Sequence, residues 1–324
     1  MKLSYLKRIF LAYVLRKKSQ LSFWHDVPEI NEAAFNNASE NNEYFMKFSM
    51  KADYAGHLDK DGIPMLDYHG NIGLKYNPIA ISQYGLGNIN KYLRDGDPTR
   101  LDKAIAAAGW FLNNIETNGN GIGVWYHKFD FEYARLLKNP WYSGLAQGQI
   151  LSFMVRIYNI TKNEKYLKCA HKILASFKED IYNGGVVYED SKKNLWIEEY
   201  ITFPPMHILN GFIWALWGIY DYMLLTGSPV AKEIYERSID TLINNLERYD
   251  CGFWSLYDLS DKIMKNLASP FYHKLHIVQL NIMYRLTGNE IFQQYSKRWE
   301  HYLNNKLYRW LAFFKKTIFK VAYF

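Results

Sequence analysis

The feature that most constrains the fold of this chain is a helical repeat with a period close to 64 residues. Corresponding helices open at intervals of 64, 64 and 68 residues, with Gln83, Gln147, Gly211 and Gln279. A fixed period of this length indicates repeated supersecondary units. We therefore predict four helical hairpins, over Ile81–Ile115, Ala146–Phe177, Asn210–Leu246 and His276–Leu303.

The connections within and between the hairpins support this prediction. Polar turns containing Gly, Asn, Asp or Pro stop one helix and start the next inside each hairpin. Between hairpins lie glycine-aromatic segments that predict short strands or hairpin loops, namely Gly119–Phe131, Gly184–Asp190 and Gly252–Leu259. Helical hairpins joined by such loops are typical of an (α/α) toroid, a mainly α fold in which the loops at one end form a cleft.

We predict four regions along the chain. They are a basic amphipathic arm over 1–25, an irregular or β segment over 26–80 packed on the body, the (α/α) domain over 81–305, and a basic aromatic tail over 306–324. No linker divides the body into independent domains.

The net charge of +7 comes from the two ends of the chain. Residues 1–25 and 306–324 hold 11 basic residues and no acid, whereas the body holds 28 basic and 32 acidic residues. A nucleic-acid-binding face over the body is therefore not expected. Cations mixed with bulky apolar residues favour peripheral contact of both termini with an anionic membrane. The alternative is two terminal helices docked on the body.

The apolar run Ile9–Leu15 is too short to span a bilayer. Basic residues follow it where a secretory signal would carry a small-residue cleavage site. We therefore expect a cytoplasmic protein, peripheral to the inner face of the membrane. The two cysteines provide neither a disulfide framework nor a metal cluster.

The segment Asn139–Gln149 combines adjacent aromatic residues with amides where a loop becomes a helix. Trp141 and Tyr142 could stack on a sugar ring, and Gln147 and Gln149 could bind its hydroxyls. The alternative interpretation is a helix start with Ser143 as its cap.

Two further loops carry candidate chemistry. Glu198 and Glu199 precede Tyr200 in a loop bounded by prolines, where they could supply a general base or form a solvated acidic pair. The other segment holds Tyr257, Asn266, Tyr272, His273 and His276. No acidic or cysteine residue stands at a spacing that would complete a metal site with the two histidines, so we predict no metal.

Together these loops resemble those of the D-glucuronyl C5-epimerase family, over roughly residues 120–303. The motifs that carry the resemblance are Pro140–Gln149, Trp196–Tyr200, Leu209–Phe212, Leu256–Leu259, Asn266–Ala268 and Tyr272–Leu280, and Ile81–Leu86 also resembles a family element. In the animal enzymes a β-rich insertion separates that element from the helical domain, whereas this chain runs directly from one to the other.

The resemblance implies conversion of D-glucuronic to L-iduronic acid in a heparosan-like polymer, by removal and return of the C5 proton. Its catalytic residues would be Glu199, Tyr200, Tyr257 and Tyr272. Its substrate-binding residues would be Gln83, Tyr84, Trp141, Tyr142, Gln147, Gln149, Asn210, Asn266, His273 and His276. No cofactor is expected, because no hydride moves. Which of Glu199 and Tyr257 serves which ring face stays open.

One departure from the family concerns the substrate. The animal enzymes carry an arginine where this chain has Ser260. Its absence favours an unsulfated uronic-acid polymer, since arginine can hold a sulfate or carboxylate bidentately. The partner predictions are an acidic polysaccharide and a homodimer. A glycoside hydrolase, a polysaccharide lyase and a non-catalytic polysaccharide-binding protein are the alternative functions.

Overall fold

The computed structural model describes residues 10–11, 15, 23–24, 27–36, 43–68, 70–132 and 135–323. The basic residues of the predicted arm over 1–25 lie outside the described residues. None of the helices in the described part of the chain is long and apolar enough to cross a membrane.

The described chain is mainly α-helical. Its helices are α1 (Ser49–Ala52), α2 (Pro78–Asp95), α3 (Pro98–Asn113), α4 (Gly144–Thr161), α5 (Glu164–Lys178), α6 (Leu209–Thr226), α7 (Pro229–Asn245), α8 (Pro270–Thr287), α9 (Glu290–Asn304) and α10 (Lys306–Tyr323). The 3₁₀ turns are Glu32–Phe35, Ile181–Asn183 and Leu246–Tyr249.

The four predicted hairpins are confirmed as α2–α3, α4–α5, α6–α7 and α8–α9, although α8 begins at Pro270, six residues before the predicted start at His276. Local chemistry fixes their ends. The Asn77 side chain accepts from the backbone N–H groups of Ile79 and Ala80, which caps α2. Gly96 ends the same helix at a φ of 71°, a left-handed conformation that glycine adopts without a steric penalty.

Short antiparallel strand pairs lie between the helices. They are β1 (Met65–Asp67) with β2 (Leu74–Tyr76), β3 (Glu116–Thr117) with β4 (Gly123–Val124), β5 (Phe131–Glu132) with β6 (Leu136–Leu137), and β7 (Val187–Glu189) with β8 (Leu195–Ile197). Over Gly252–Leu259 the pairing is reduced to isolated bridges. A turn at Gly252, with a φ of 84°, interrupts the extended run there.

Contacts divide the chain into two compact units. The first unit consists of the described residues of Met1–Ile30, Met206–Asn210 and Leu242–Phe324, and the second of those of Asn31–Pro205 and Gly211–Thr241. The predicted region over 81–305 contributes to both units, and the four regional bounds stay predictions.

A buried ion pair joins α4 to α6 inside the second unit. The Arg156 guanidinium and the Asp221 carboxylate are both fully buried and bonded to each other. The hydroxyl of Ser152 donates to Asp221 Oδ2 at 2.6 Å. Removing one partner of such a pair would leave an uncompensated buried charge, so this contact holds the two helices in one register.

Candidate active site

Glycines bring α4 and α6 into close contact in the second unit. A Cβ atom on Gly148 would lie 2.3 Å from the Cα of Ala215, and one on Gly218 would lie 2.1 Å from the carbonyl oxygen of Gly148. No larger side chain fits at either glycine without moving a backbone. The contact therefore fixes the spacing of two helices whose first turns carry predicted site residues.

The Glu198–Glu199 segment is held between the starts of these helices. The N–H of Gly144, at the first position of α4, donates to the Glu198 carbonyl at 3.1 Å. Gly211, in the first turn of α6, leaves space for the Glu199 side chain. Glu199 is only 4% exposed. Its carboxylate thus lies close to a helix N-terminus, a position that stabilises negative charge.

Trp141 lies at the centre of an aromatic cluster beside this segment. Its ring stacks on His127 at 3.8 Å with an interplanar angle of 3°. The Tyr200 ring meets the Trp141 ring edge-on, with the ring centroids 5.7 Å apart. The Trp141 indole N–H donates to the Phe129 carbonyl at 2.9 Å. The structure thus brings the two predicted residues Trp141 and Tyr200 together. The cluster also includes His127, which was not among the predicted site residues.

A surface cleft of about 410 Å³ opens next to Trp141 and Tyr142. Its lining combines aromatic, apolar and basic residues: Arg135, Leu136, Leu137, Lys138, Pro140, Trp141, Tyr142, Ile201, Thr202 and Phe203. Arg135 and Lys138 were missed by the sequence analysis, although they directly precede the Asn139–Gln149 motif. Cations beside an aromatic platform suit a sugar that carries carboxylates.

The predicted amide ligands are buried in the helix starts. Gln83 Nε2 donates to Gln149 Oε1 at 3.0 Å, and Gln147 Nε2 donates to the Gly123 carbonyl at 3.0 Å. Gln83 Oε1, Gln147 Oε1 and Gln149 Nε2 have no hydrogen-bond partner among the described residues. Tyr84 is buried beside them, and burial raises its pKa. The binding roles of these four residues stay predictions.

Tyr257 and Tyr272 meet in the first unit. Their ring centroids lie 4.8 Å apart at an interplanar angle of 74°. Tyr257 is 4% exposed, whereas Tyr272 is half-buried. The Tyr257 N–H donates to the Asn266 carbonyl at 2.8 Å, and its own carbonyl accepts from Leu209 N–H at 3.2 Å. The backbone N–H and carbonyl groups of Tyr257 are thus both held by hydrogen bonds to neighbouring segments.

A polar network surrounds Asn266 in the same unit. Asn266 Nδ2 donates to Asp258 Oδ2 at 2.6 Å, and the Ser260 hydroxyl donates to Asp258 Oδ1 at 2.6 Å. Lys316, from α10, donates to Asn266 Oδ1 at 2.8 Å and to the Leu267 carbonyl at 2.6 Å. Burial lowers the pKa of Lys316 to about 7. Lys316 thus brings a cation from α10 to the Asn266 network.

His273 and His276 are buried and bonded to protein groups. The Ser255 hydroxyl lies 2.7 Å from His273 Nδ1 and 3.0 Å from His276 Nδ1, and His273 Nε2 lies 3.0 Å from the Trp299 carbonyl. Burial lowers the pKa of His273 to about 3 and that of His276 well below its usual value. Both are therefore neutral at pH 7. This geometry favours a structural role, and their ligand roles stay predictions.

Asn210 is the second residue of α6, belongs to the first unit and is 2% exposed. Its carbonyl accepts from Gln279 Nε2 at 2.9 Å. Asn210 and Gln279, which lie on helices of two different hairpins, are therefore in direct contact. Within the described ranges, no three His, Cys, Asp or Glu side chains are grouped so that they could hold a metal ion.

Comparison with known proteins identifies the family to which this chain is similar. The profile of the family described as D-glucuronyl C5-epimerase C-terminus matches residues 119–301. An uncharacterised protein of Methanocaldococcus jannaschii is 32% identical over 255 residues, which cover 72% of this chain and 80% of that protein. The D-glucuronyl C5-epimerase of Caenorhabditis elegans is 32% identical over 216 residues, covering 62% of this chain but only 35% of that protein.

Solved structures confirm the predicted fold class. The cellobiose 2-epimerase of Bacillus thermoamylovorans superposes with a TM-score of 0.55 at 12% identity, covering 88% of this chain and 78% of that one. The cellobiose 2-epimerase of Spirochaeta thermophila gives a TM-score of 0.52 at 11% identity, covering 83% and 72%. At these identities the likeness concerns the fold alone, which is a mainly α, (α/α) toroid fold.

Proposed function

Because this chain belongs to the D-glucuronyl C5-epimerase family, we propose that it is a carbohydrate epimerase, an isomerase, acting on uronic acid residues within a polysaccharide. The specific reaction would convert D-glucuronic to L-iduronic acid in a heparosan-like polymer. The chain matches about a third of the nematode enzyme's length, so the polymer acted on is part of the proposal.

The observation that carries the proposal is the position of Glu199. It lies inside the matched stretch 119–301, together with Tyr257 and Tyr272. Its carboxylate is almost fully buried and is packed against Gly211 at the start of α6. A carboxylate held in one position can transfer a proton at a defined atom. Its burial does not fit the alternative of a solvated acidic pair.

The proposed reaction needs two proton-transfer groups. Removal of the C5 proton breaks the C5–H bond, and its electron pair moves towards the adjacent carboxylate, giving an enediolate. A second group returns a proton to C5 on the opposite face, which inverts the centre. The family resemblance assigns the two proton transfers to Glu199 and Tyr257, and Tyr272, in contact with Tyr257, would relay a proton or bind the sugar carboxylate. Tyr200 would support Glu199 as its chain neighbour.

The cleft beside Trp141 supports an acidic substrate. Lys138 and Arg135 line it together with the Trp141 and Tyr142 rings. Sugar rings would contact the half-buried Tyr142 ring, and neighbouring uronate carboxylates would pair with the cations. Ser260 donates to Asp258 and offers no bidentate cation for a sulfate, which supports an unsulfated polymer.

Deuterium exchange tests the reaction. The chain is incubated in D₂O with heparosan, N-sulfated heparosan or chondroitin, and deuterium at C5 is followed by NMR. We expect incorporation without chain cleavage, fastest on heparosan. Unsaturated, ultraviolet-absorbing chain ends would show a lyase, and new reducing ends would show a hydrolase. If no polymer changes, the chain is a polysaccharide-binding protein.

Conservative variants test the residue assignment. Glu199→Gln and Tyr257→Phe keep the shape of each side chain but remove its proton-transfer group, so each should lower exchange by about 10²-fold or more. The matched controls are Glu300→Gln and Tyr182→Phe, both exposed, which should exchange like the wild type. Exchange at the wild-type rate in Glu199→Gln would contradict the assignment.

A further inference from the structure

Helix α10 carries a continuous row of exposed apolar side chains. We define this row as the apolar stripe: Leu307, Trp310, Leu311, Phe314, Ile318 and Val321. The spacings of three, four and seven residues place them on one face of the helix. Their exposures run from 41% at Trp310 to 74% at Leu307. Phe10, itself 38% exposed, contacts the Trp310 ring edge-on and extends the surface.

The opposite face of α10 is anchored within the first unit. Ala312 is fully buried and Phe319 is 1% exposed. Lys316 donates to Asn266 and to the Leu267 carbonyl. These contacts fix the rotation of the helix about its own axis. The stripe is therefore an outward-facing surface and not the result of a loosely attached segment.

The charges on α10 identify what can cover this stripe. The helix contains five basic residues and no acidic one: Lys306, Arg309, Lys315, Lys316 and Lys320. At 3.6 residues per turn, the exposed Lys306 and Lys315 fall on the two sides of the stripe. An apolar face bordered by cations is complementary to the acyl region and headgroups of an anionic bilayer. A second copy in a two-fold contact would bring cations against cations, with no acid on this helix to offset them.

We infer that α10 is a membrane-docking helix that lies in the interface of an anionic lipid bilayer, with the apolar stripe inserted and Lys306 and Lys315 at the headgroups. This role is independent of the proposed epimerase activity. It would hold the chain at a membrane surface.

Vesicle co-sedimentation of the whole chain tests this inference. The fraction bound is measured on phosphatidylcholine vesicles with and without added phosphatidylserine, at low and at high salt. We expect binding to be about tenfold or more tighter on the anionic vesicles, and to weaken as salt screens the lysine–headgroup attraction. Equal binding to both vesicles, or no binding to either, would overturn the inference.

The double variant Leu307→Ser/Phe314→Ser tests the stripe itself. It should lower the affinity for anionic vesicles by about tenfold or more, because two inserted apolar side chains are lost. The matched control is Leu224→Ser/Val230→Ser, which changes two exposed apolar residues on α6 and α7. Circular dichroism checks that both variants fold.

Two results would show a different occupant. If both double variants bind anionic vesicles like the wild type, the stripe is not the docking surface. If the wild type ignores vesicles but forms a dimer that Leu307→Ser/Phe314→Ser dissociates, as seen by analytical ultracentrifugation, a second copy covers it. Should the stripe variant fail to fold, the lipid and salt dependence of the wild type still decides between these outcomes.

Discussion

A Cβ atom on Gly211 would lie 2.2 Å from Oε2 of Glu199 and 2.6 Å from its Cβ. The space at this one glycine is therefore what admits the whole Glu199 side chain to the start of α6. The position of Glu199, the proposed proton-transfer group, therefore depends on the lack of a Cβ atom at Gly211.

Gly211→Ala should displace Glu199 and lower C5 exchange by about 10²-fold, since small misplacements of a reacting group are costly. Gly109→Ala is the matched control, because a Cβ there meets no atom within 4 Å and Gly109 lies inside α3. The control should keep full activity and gain about 0.5–1 kcal/mol of stability. Full exchange in Gly211→Ala would show that Glu199 does not act from this position.

The pH dependence of stability should show the burial of Lys316. Its folded-state pKa is about 7, below the unfolded value of 10.5. Between these values the unfolded chain binds a proton that the folded chain does not, so the free energy of unfolding rises with pH. Urea unfolding between about pH 7 and pH 9 should give a smaller rise in Lys316→Met than in the wild type. The exposed Lys265→Met should keep the wild-type slope, and identical slopes in all three would contradict this prediction.

Acid should destabilise the fold through its buried histidines. Burial lowers the pKa of His127 and of His273 to about 3, from 6.5. As pH falls below 6.5 the unfolded chain gains protons that the folded chain cannot, so stability is lost, by up to about 1.4 kcal/mol per pH unit for each histidine. His127→Phe can keep the stack on Trp141. In this variant the free energy of unfolding should fall less steeply from about pH 7 to pH 5, by the contribution of one histidine, as measured by urea unfolding.

His127 suits this test because neither of its ring nitrogens has a hydrogen-bond partner among the described residues. The substitution therefore removes a titrating group without breaking a side-chain hydrogen bond. The exposed His57→Gln is the control and should leave the acid limb unchanged. A His127→Phe curve parallel to that of the wild type would mean that His127 is protonated in the folded chain.

The cleft cations should act on substrate affinity. Lys138→Gln removes one charge from the cleft beside Trp141. An exposed ion pair contributes at most about 1 kcal/mol, so KM for the acidic polymer should rise by up to about fivefold at low salt, with kcat unchanged. Lys103→Gln, an exposed lysine on α3, is the control. A fall in kcat, or the same KM in both variants, would contradict a binding role.

Much of the fold could be predicted because its signals are local. Gly96 and Gly288 mark two hairpin turns, where they take left-handed conformations at helix ends, and Ser143 marks the start of α4, which its side chain caps. The interpretations of Asn139–Gln149 as a helix start and as a sugar platform were alternatives in the sequence. The Ser143 cap confirms the first, and the second stays a prediction.

Other features depend on contacts between residues far apart in sequence. Lys316 meets Asn266 across 50 residues, and Gly148 meets Ala215 across 67, so no local pattern reveals either contact. His273 is predicted as a ligand, and its ring contacts with Trp254 and Trp299, which favour a structural role, join residues 19 and 26 positions apart. The sequence by itself determined the helical hairpins and the family, since periodicity and short motifs are local, whereas α8 begins six residues before its predicted start. The tertiary structure alone decided which polar groups are buried and which cations reach which loop, because side-chain packing joins distant parts of the chain.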